Sequence, residues 1–135
     1  MRILFLSKLG DALGIADRLS QEGHDIRFWT DDLLYVRDLQ GIVARIDTWR
    51  PSVTWCDLAV ADMVGFSSYE PIFQRYGKPL LSCNPVADVL ELDRPKALTT
   101  AQAVGMTTPQ SWTFRNPTQA LMEFDWQQPV FVKPS

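Results

Sequence analysis

Apolar and polar positions come in blocks along this chain, and the period changes from block to block in a regular order. The first block is a short apolar run, Ile3 to Leu6, with Phe5 inside it. Such a run, followed by glycine and a helical pattern, predicts a central parallel strand covered on both faces. In "SKLGDALGIADRLSQEG" the residues Leu13, Ala16 and Leu19 recur at helical spacing, and Gly23 stands where a helix terminates. "HDIRFWT" then alternates, with Ile26, Phe28 and Thr30 on one side and Asp25, Arg27 and Trp29 on the other, which predicts a second strand. Strand, helix and strand within about thirty residues make a right-handed βαβ unit.

Residues 31 to 56 carry mixed periodicity with a glycine and a proline inside, and predict a short helix or two joined by irregular chain. A third strand is expected from Leu58 to Met63, a helix from about Tyr69 to Tyr76 stopped by Gly77, and a fourth strand in "KPLLSC". Pro79 is tolerated at the start of that strand, where its missing N–H costs no pairing. A long helical zone follows from Val86 to Val104, broken or bent at Pro95 and ended by Gly105. "SWTF", Ser111 to Phe114, is a candidate strand. "NPTQALMEF" has a helix-start signature, with Asn116 as cap and Pro117 in the first turn. Val130, Phe131 and Val132 predict a final strand. The pattern is that of an α/β protein: a Rossmann-like, doubly wound, mostly parallel sheet with a short C-terminal extension. In such sheets ligands bind at the carboxyl edge, where strand order reverses. The loops expected to meet there are Ser7 to Asp11, Asp62 to Ser68 and Cys83 to Ala87.

Composition narrows the function. The 135 residues are 46% hydrophobic and 21% charged, enough for a core without disulfides or metals. Net charge is −3, and the 13 Lys and Arg are scattered, which excludes a nucleic-acid surface as partner. No run approaches the ~20 apolar residues of a membrane span, and "MRILFLSK" is too short for a secretory segment. A cytoplasmic protein with no membrane partner is expected. Cys56 and Cys83 match no metal-ligand spacing and are expected to be buried, reduced thiols. His24, the only histidine, has no second ligand nearby and reads as a turn residue.

Candidate chemistry gathers in the loops. In "SKLGDALG", Gly10 and Gly14 lie between strand and helix, where small residues admit a ligand and a helix N-terminus favours an anion. Lys8 adds a cation and Asp11 a carboxylate. The spacing is neither G-x-G-x-x-G nor a P-loop, and a tight turn with a packing glycine explains it equally well. In "ADMVGFSSYE", Asp62 could accept a hydrogen bond from a substrate hydroxyl or amine, or cap a loop, and Gly65 leaves the backbone flexible. No Ser-His-Asp or Cys-His arrangement is present. The candidate substrate-binding set is therefore Ser7, Lys8, Gly10, Asp11, Asp62 and Gly65. Arg94 could present a planar fork of donors to a phosphate. An exposed ion pair with Glu91 or Asp93 is the plainer reading.

Three further motifs, "LELDR" at 90–94, "GMTTP" at 105–109 and "VFVKP" at 130–134, stand in the order found where the pre-ATP-grasp domain of ATP-grasp ligases leads into the ATP-binding lobes. The chain resembles the front part of that superfamily, most nearly phosphoribosylamine–glycine ligase and its relatives. The resemblance implies a pre-ATP-grasp domain over residues 1–92, and a linker helix with the start of the ATP-grasp domain over 93–135. The implied activity of the parent protein is carboxylate–amine ligation through an acyl phosphate, with ATP and Mg²⁺ as cofactors. Arg94 and Lys133 match the cationic residues that reach the nucleotide phosphates. No catalytic residue falls within this chain, which is expected to be inactive and cofactor-free alone. Its unpaired last strand is expected to promote self-association. The chain departs from the family at the first loop, which carries "SKLGDALG" instead of Gly-Gly-Arg-Glu-His. Two other readings stand beside this one. The first thirty residues are similar to the acceptor domain of GT-B glycosyltransferases, and a non-catalytic α/β ligand-binding module fits the same pattern.

Overall fold

A computed structural model describes residues 1–30, 32, 41–127 and 129–132. Five parallel strands form one sheet: β1 (Arg2–Leu6), β2 (Asp25–Trp29), β3 (Ala44–Ile46), β4 (Leu58–Ala61) and β5 (Leu80–Leu81), in the order β3-β2-β1-β4-β5. This is the expected Rossmann-like α/β sheet. β1 lies at the centre because its sequence suits burial on both faces. Ile3 and Phe5 pack on one side with Ile26, Phe28, Ala12 and Ala16. Leu4 and Leu6 pack on the other with Trp49, Val53, Cys56, Ala59, Phe66 and Phe73. Register is continuous: Phe5 lies beside Phe28 in β2 and beside Val60 in β4. The Phe5 and Phe28 rings stack at 5.8 Å, and Trp49 stacks on Phe73 at the same distance.

Helix α1 (Leu13–Gln21) follows β1, with Ala16 fully buried. It closes where the sequence placed its end. Gly23 takes φ +86°, and the amides of Glu22, Gly23 and His24 return to the carbonyls of Arg18, Ser20 and Leu19. The His24 ring lies 3.2 Å from the N-terminal amine, a turn position as expected. After β3 the chain makes a 3₁₀ turn (Arg50–Ser52), crosses back to β4, and continues through a second 3₁₀ turn (Ser67–Tyr69) into α2 (Glu70–Arg75) and β5. Helix α3 (Pro85–Leu92) comes next. The reversal of strand order falls between β1 and β4.

Several expectations are corrected. Of the 31–56 stretch, where a short helix or two is expected, residues 31 and 33–40 lie outside the described residues; the described remainder holds a 3₁₀ turn and an unforeseen strand, β3, whose three residues with an exposed Arg45 carry too little periodicity to read as one. β4 ends at Ala61 and β5 spans two residues, so Cys83 falls in the following loop and is exposed, whereas Cys56 is buried as expected. The long helical zone breaks at Asp93, not at Pro95: Asp93 caps α4 (Arg94–Ala103) by accepting the Lys96 amide at 3.1 Å, and Pro95 sits in the first turn. Ser111–Phe114 and Val130–Val132 form no strand. No neighbouring backbone pairs with them among the described residues, and Phe131 and Val132 are exposed.

The chain divides into two compact units, Met1–Asp88 and Val89–Ser135. In the second, α5 (Pro117–Glu123) starts as predicted, with Asn116 accepting the Gln119 amide at 2.9 Å. Phe124 gathers Trp112, Phe114 and Trp126 edge-on within 4.9–6.2 Å.

Candidate functional site

The crevice at the carboxyl edge of the sheet is built by the loops after β1 and β4. β1 leads directly into Ser7, which has no solvent exposure; its amide donates to the Trp29 carbonyl at 3.0 Å. Thr30, just past β2, donates its hydroxyl to the Lys8 carbonyl at 2.6 Å. These two bonds tie the ends of β1 and β2 together and set where the next loop begins. Gly10 then turns the chain with φ +79°, and its carbonyl accepts the Leu13 amide as α1 starts.

From the other side of the crevice, Asp62 follows β4 and reaches across to this loop. One carboxylate oxygen, Oδ2, accepts both the Ser7 hydroxyl and the Ala12 amide, the latter at 2.8 Å. The Ala12 amide is one of the orphan donors at the start of α1, so the carboxylate acts as a cap contributed from fifty residues away. The sequence suggested that this helix start would offer its amides to an anionic ligand. In the structure the protein's own carboxylate takes one of those amides, that of Ala12.

A second carboxylate does the same for the β4–α2 loop. Asp88, in the first turn of α3, is 6% exposed. Its Oδ1 accepts the Gly65 amide at 2.8 Å and its Oδ2 the Ser67 amide at 3.1 Å. Gly65 sits at φ +91°, a backbone setting that favours glycine. Burial pushes the Asp88 carboxyl up, but the Ser67 hydroxyl and the two amides outweigh it and hold the group below the usual carboxylate range. Asn84 caps α3 by accepting the Ala87 amide at 2.9 Å, which fixes the turn that presents Asp88.

The structure thus brings Ser7, Lys8, Gly10, Asp11, Asp62 and Gly65 to one edge, with differing roles. Ser7 is committed to Asp62 and buried, and Gly65 is committed to Asp88. Lys8 and Asp11 are exposed at the mouth, with the Lys8 ammonium 5.9 Å from the centre of the buried Phe66 ring. Asp62 is exposed, and among the described residues its second oxygen has no partner. Arg94 lies in the second unit, exposed at the start of α4, and forms no ion pair with Glu91 or Asp93 among the described residues. Lys133 lies outside the described residues. Sequence reasoning missed Asp88 and Thr30. Asp88 left a signal, a lone carboxylate amid Val86, Ala87, Val89 and Leu90, one turn after a capping "NP".

Among the described residues no cluster of three or more His, Cys, Asp or Glu could hold a metal ion. No helix among them is long and apolar enough to cross a membrane. At the carboxyl edge the Ala12 amide is bonded to Asp62 and the Gly65 and Ser67 amides to Asp88, so carboxylates take three of the backbone donors that a phosphate would use there.

No family model matches the chain, and no curated protein matches it. Among the solved structures that match is an imine reductase from Myxococcus stipitatus, V8 variant, in complex with NAD⁺, at 20% identity and a TM-score of 0.43. The match covers 78% of this chain and 37% of that one, so the chain spans little more than a third of that neighbour's length.

Proposed function

We propose that this chain is the substrate-side, pre-ATP-grasp part of a cytoplasmic ATP-dependent carboxylate–amine ligase, similar to phosphoribosylamine–glycine ligases. The observation that carries the reading is the internal occupation of both backbone-amide sites at the carboxyl edge, by Asp62 and by Asp88. A Rossmann-like domain that binds its cofactor there leaves those amides free for phosphate. This domain does not, so its crevice suits a small substrate and leaves the nucleotide to another lobe. The ordered motifs around Arg94, Pro109 and Lys133 supply the ligase half of the reading. Arg94 and Lys133 would face the phosphates of ATP–Mg²⁺, where fixed cations offset charge during phosphoryl transfer. At the crevice, Lys8 with Asp11 and Asp62 offers one cation and two carboxylates, a set that matches a small zwitterion with an ammonium and a carboxylate.

Two measurements test this. Titration of the 135-residue chain with glycine, NAD⁺ and ATP–Mg²⁺, followed by amide NMR, is expected to move Lys8, Asp11 and Asp62 with glycine alone. Saturable shifts at Gly10 to Leu13 on adding NAD⁺ or ATP would overturn the reading. The intact cellular polypeptide that carries this sequence is expected to convert ATP to ADP only with both a carboxylate and an amine present, and Arg94→Ala is expected to weaken its ATP affinity. Turnover of a sugar nucleotide instead would transfer the chain to the glycosyltransferase reading.

A further inference from the structure

We propose that Asp88 is a positioning residue, and that through it the first turn of α3 forms part of the crevice by holding the loop between Asp62 and Ser68 in its ligand-accepting shape. The proposal rests on reading the crevice as a ligand site. Its first readout needs no ligand, so the two ideas can fail separately.

The argument starts from what this loop lacks. Val64, Gly65 and Phe66 follow a four-residue strand, and Gly65 carries a positive φ, so local propensity does not hold the turn. The Phe66 side chain is buried and anchors one end in the core below the sheet. That contact fixes a ring but leaves the two amides beside it without partners from the sheet. A buried amide without a partner costs most of a hydrogen bond. The Asp88 carboxylate supplies both acceptors at once, with one oxygen on Gly65 and the other on Ser67. The Ser67 hydroxyl also favours the charged form of the same group. A planar carboxylate gripping donors two residues apart defines the loop's curvature as well as its position.

The same loop begins with Asp62 and carries Phe66, the ring beneath the Lys8 ammonium. Its shape therefore places a carboxylate and a cation of the mouth together. α3 contributes no other charged side chain to this loop among the described bonds, so the coupling runs through Asp88.

The test uses the full 135-residue chain. Asp88→Asn keeps the shape but replaces one acceptor oxygen by a donor that faces an amide. Hydrogen exchange in the absence of ligand is expected to speed up roughly ten- to a hundredfold at Gly65 and Ser67, while Leu4, Phe5 and Val60 in the sheet keep their protection. Glycine affinity is expected to fall at least several-fold. If Asp88→Asn fails to fold, Ser67→Ala, which removes only the hydroxyl that favours the Asp88 carboxylate, is expected to speed exchange at the same two amides by up to about fivefold. Unchanged protection at Gly65 and Ser67 would overturn the proposal, and so would a loss spread evenly over the sheet. Selective loosening of the loop supports the positioning role even where wild-type protein binds no glycine, which would sink the ligand reading alone.

Discussion

Removing the Asp62 carboxylate tests the central feature of the site, a helix start capped from a distant strand. In Asp62→Ala two bonds disappear. The Ala12 amide loses its acceptor at the first turn of α1, a change that costs about 0.5–2 kcal/mol in helices generally. Ala12 is 3% exposed, so bulk water replaces the carboxylate poorly. The Ser7 hydroxyl, with no exposure at all, loses its partner, and an unsatisfied buried group costs about 1–3 kcal/mol. Asp62 itself is exposed, and water following the deleted group brings the sum to about 2–4 kcal/mol. Urea unfolding should show the lower midpoint with an unchanged slope, and heating should show a drop on the order of 10 °C. The cycle with Ser7→Ala separates the two bonds. Once Ser7 is alanine no orphaned hydroxyl remains, so Asp62→Ala should cost only the cap, and the coupling should be about 1–2 kcal/mol. A second arm addresses function: with Ala12 free and the negative charge gone, the variant should gain stabilisation by pyrophosphate that the wild type lacks. A destabilisation under about 0.5 kcal/mol, or strict additivity with Ser7→Ala, would refute the cap.

Two further outcomes follow from the same geometry. Phe73→Ala should destabilise the first unit by about 3–5 kcal/mol, because the fully buried ring stacks on Trp49 and fills the core below β4, whereas Tyr76→Ala at the exposed end of the helix should cost under about 0.5 kcal/mol; chemical denaturation of both checks the contrast. The Asp57 carboxyl should titrate at about 2, since the Arg2 guanidinium and the Arg2 amide both bond to it at 2.8 Å. Its folded value lies below its ordinary one, so its contribution to stability is present above pH 3.8 and is lost as pH falls toward 2. Carbon-detected NMR titration should place the midpoint there, and Arg2→Ala, which removes the guanidinium but keeps the amide bond, should bring it only part of the way back toward 3.8.

By itself the sequence determined the fold class and the loops that meet at the crevice. Ile3 to Leu6 form a run apolar on every side, and only a central strand covered on both faces buries such a run. Leu13, Ala16 and Leu19 need a helix, Gly23 ends it, and Asn116 with Pro117 starts another, because these signals act within a few residues of chain. Only the tertiary structure decided what the loop residues do. Asp62 and Ser7 are 55 residues apart and Asp88 and Gly65 are 23 apart, so no local pattern reveals that each carboxylate is spent on backbone amides. The same limit explains β3, whose three residues become a strand only because β2 offers an edge, and Val130 to Val132, whose apolar pattern finds no partner among the described residues. A side chain's type fixes which bonds it can make, but the packing of distant segments decides which of them it does make.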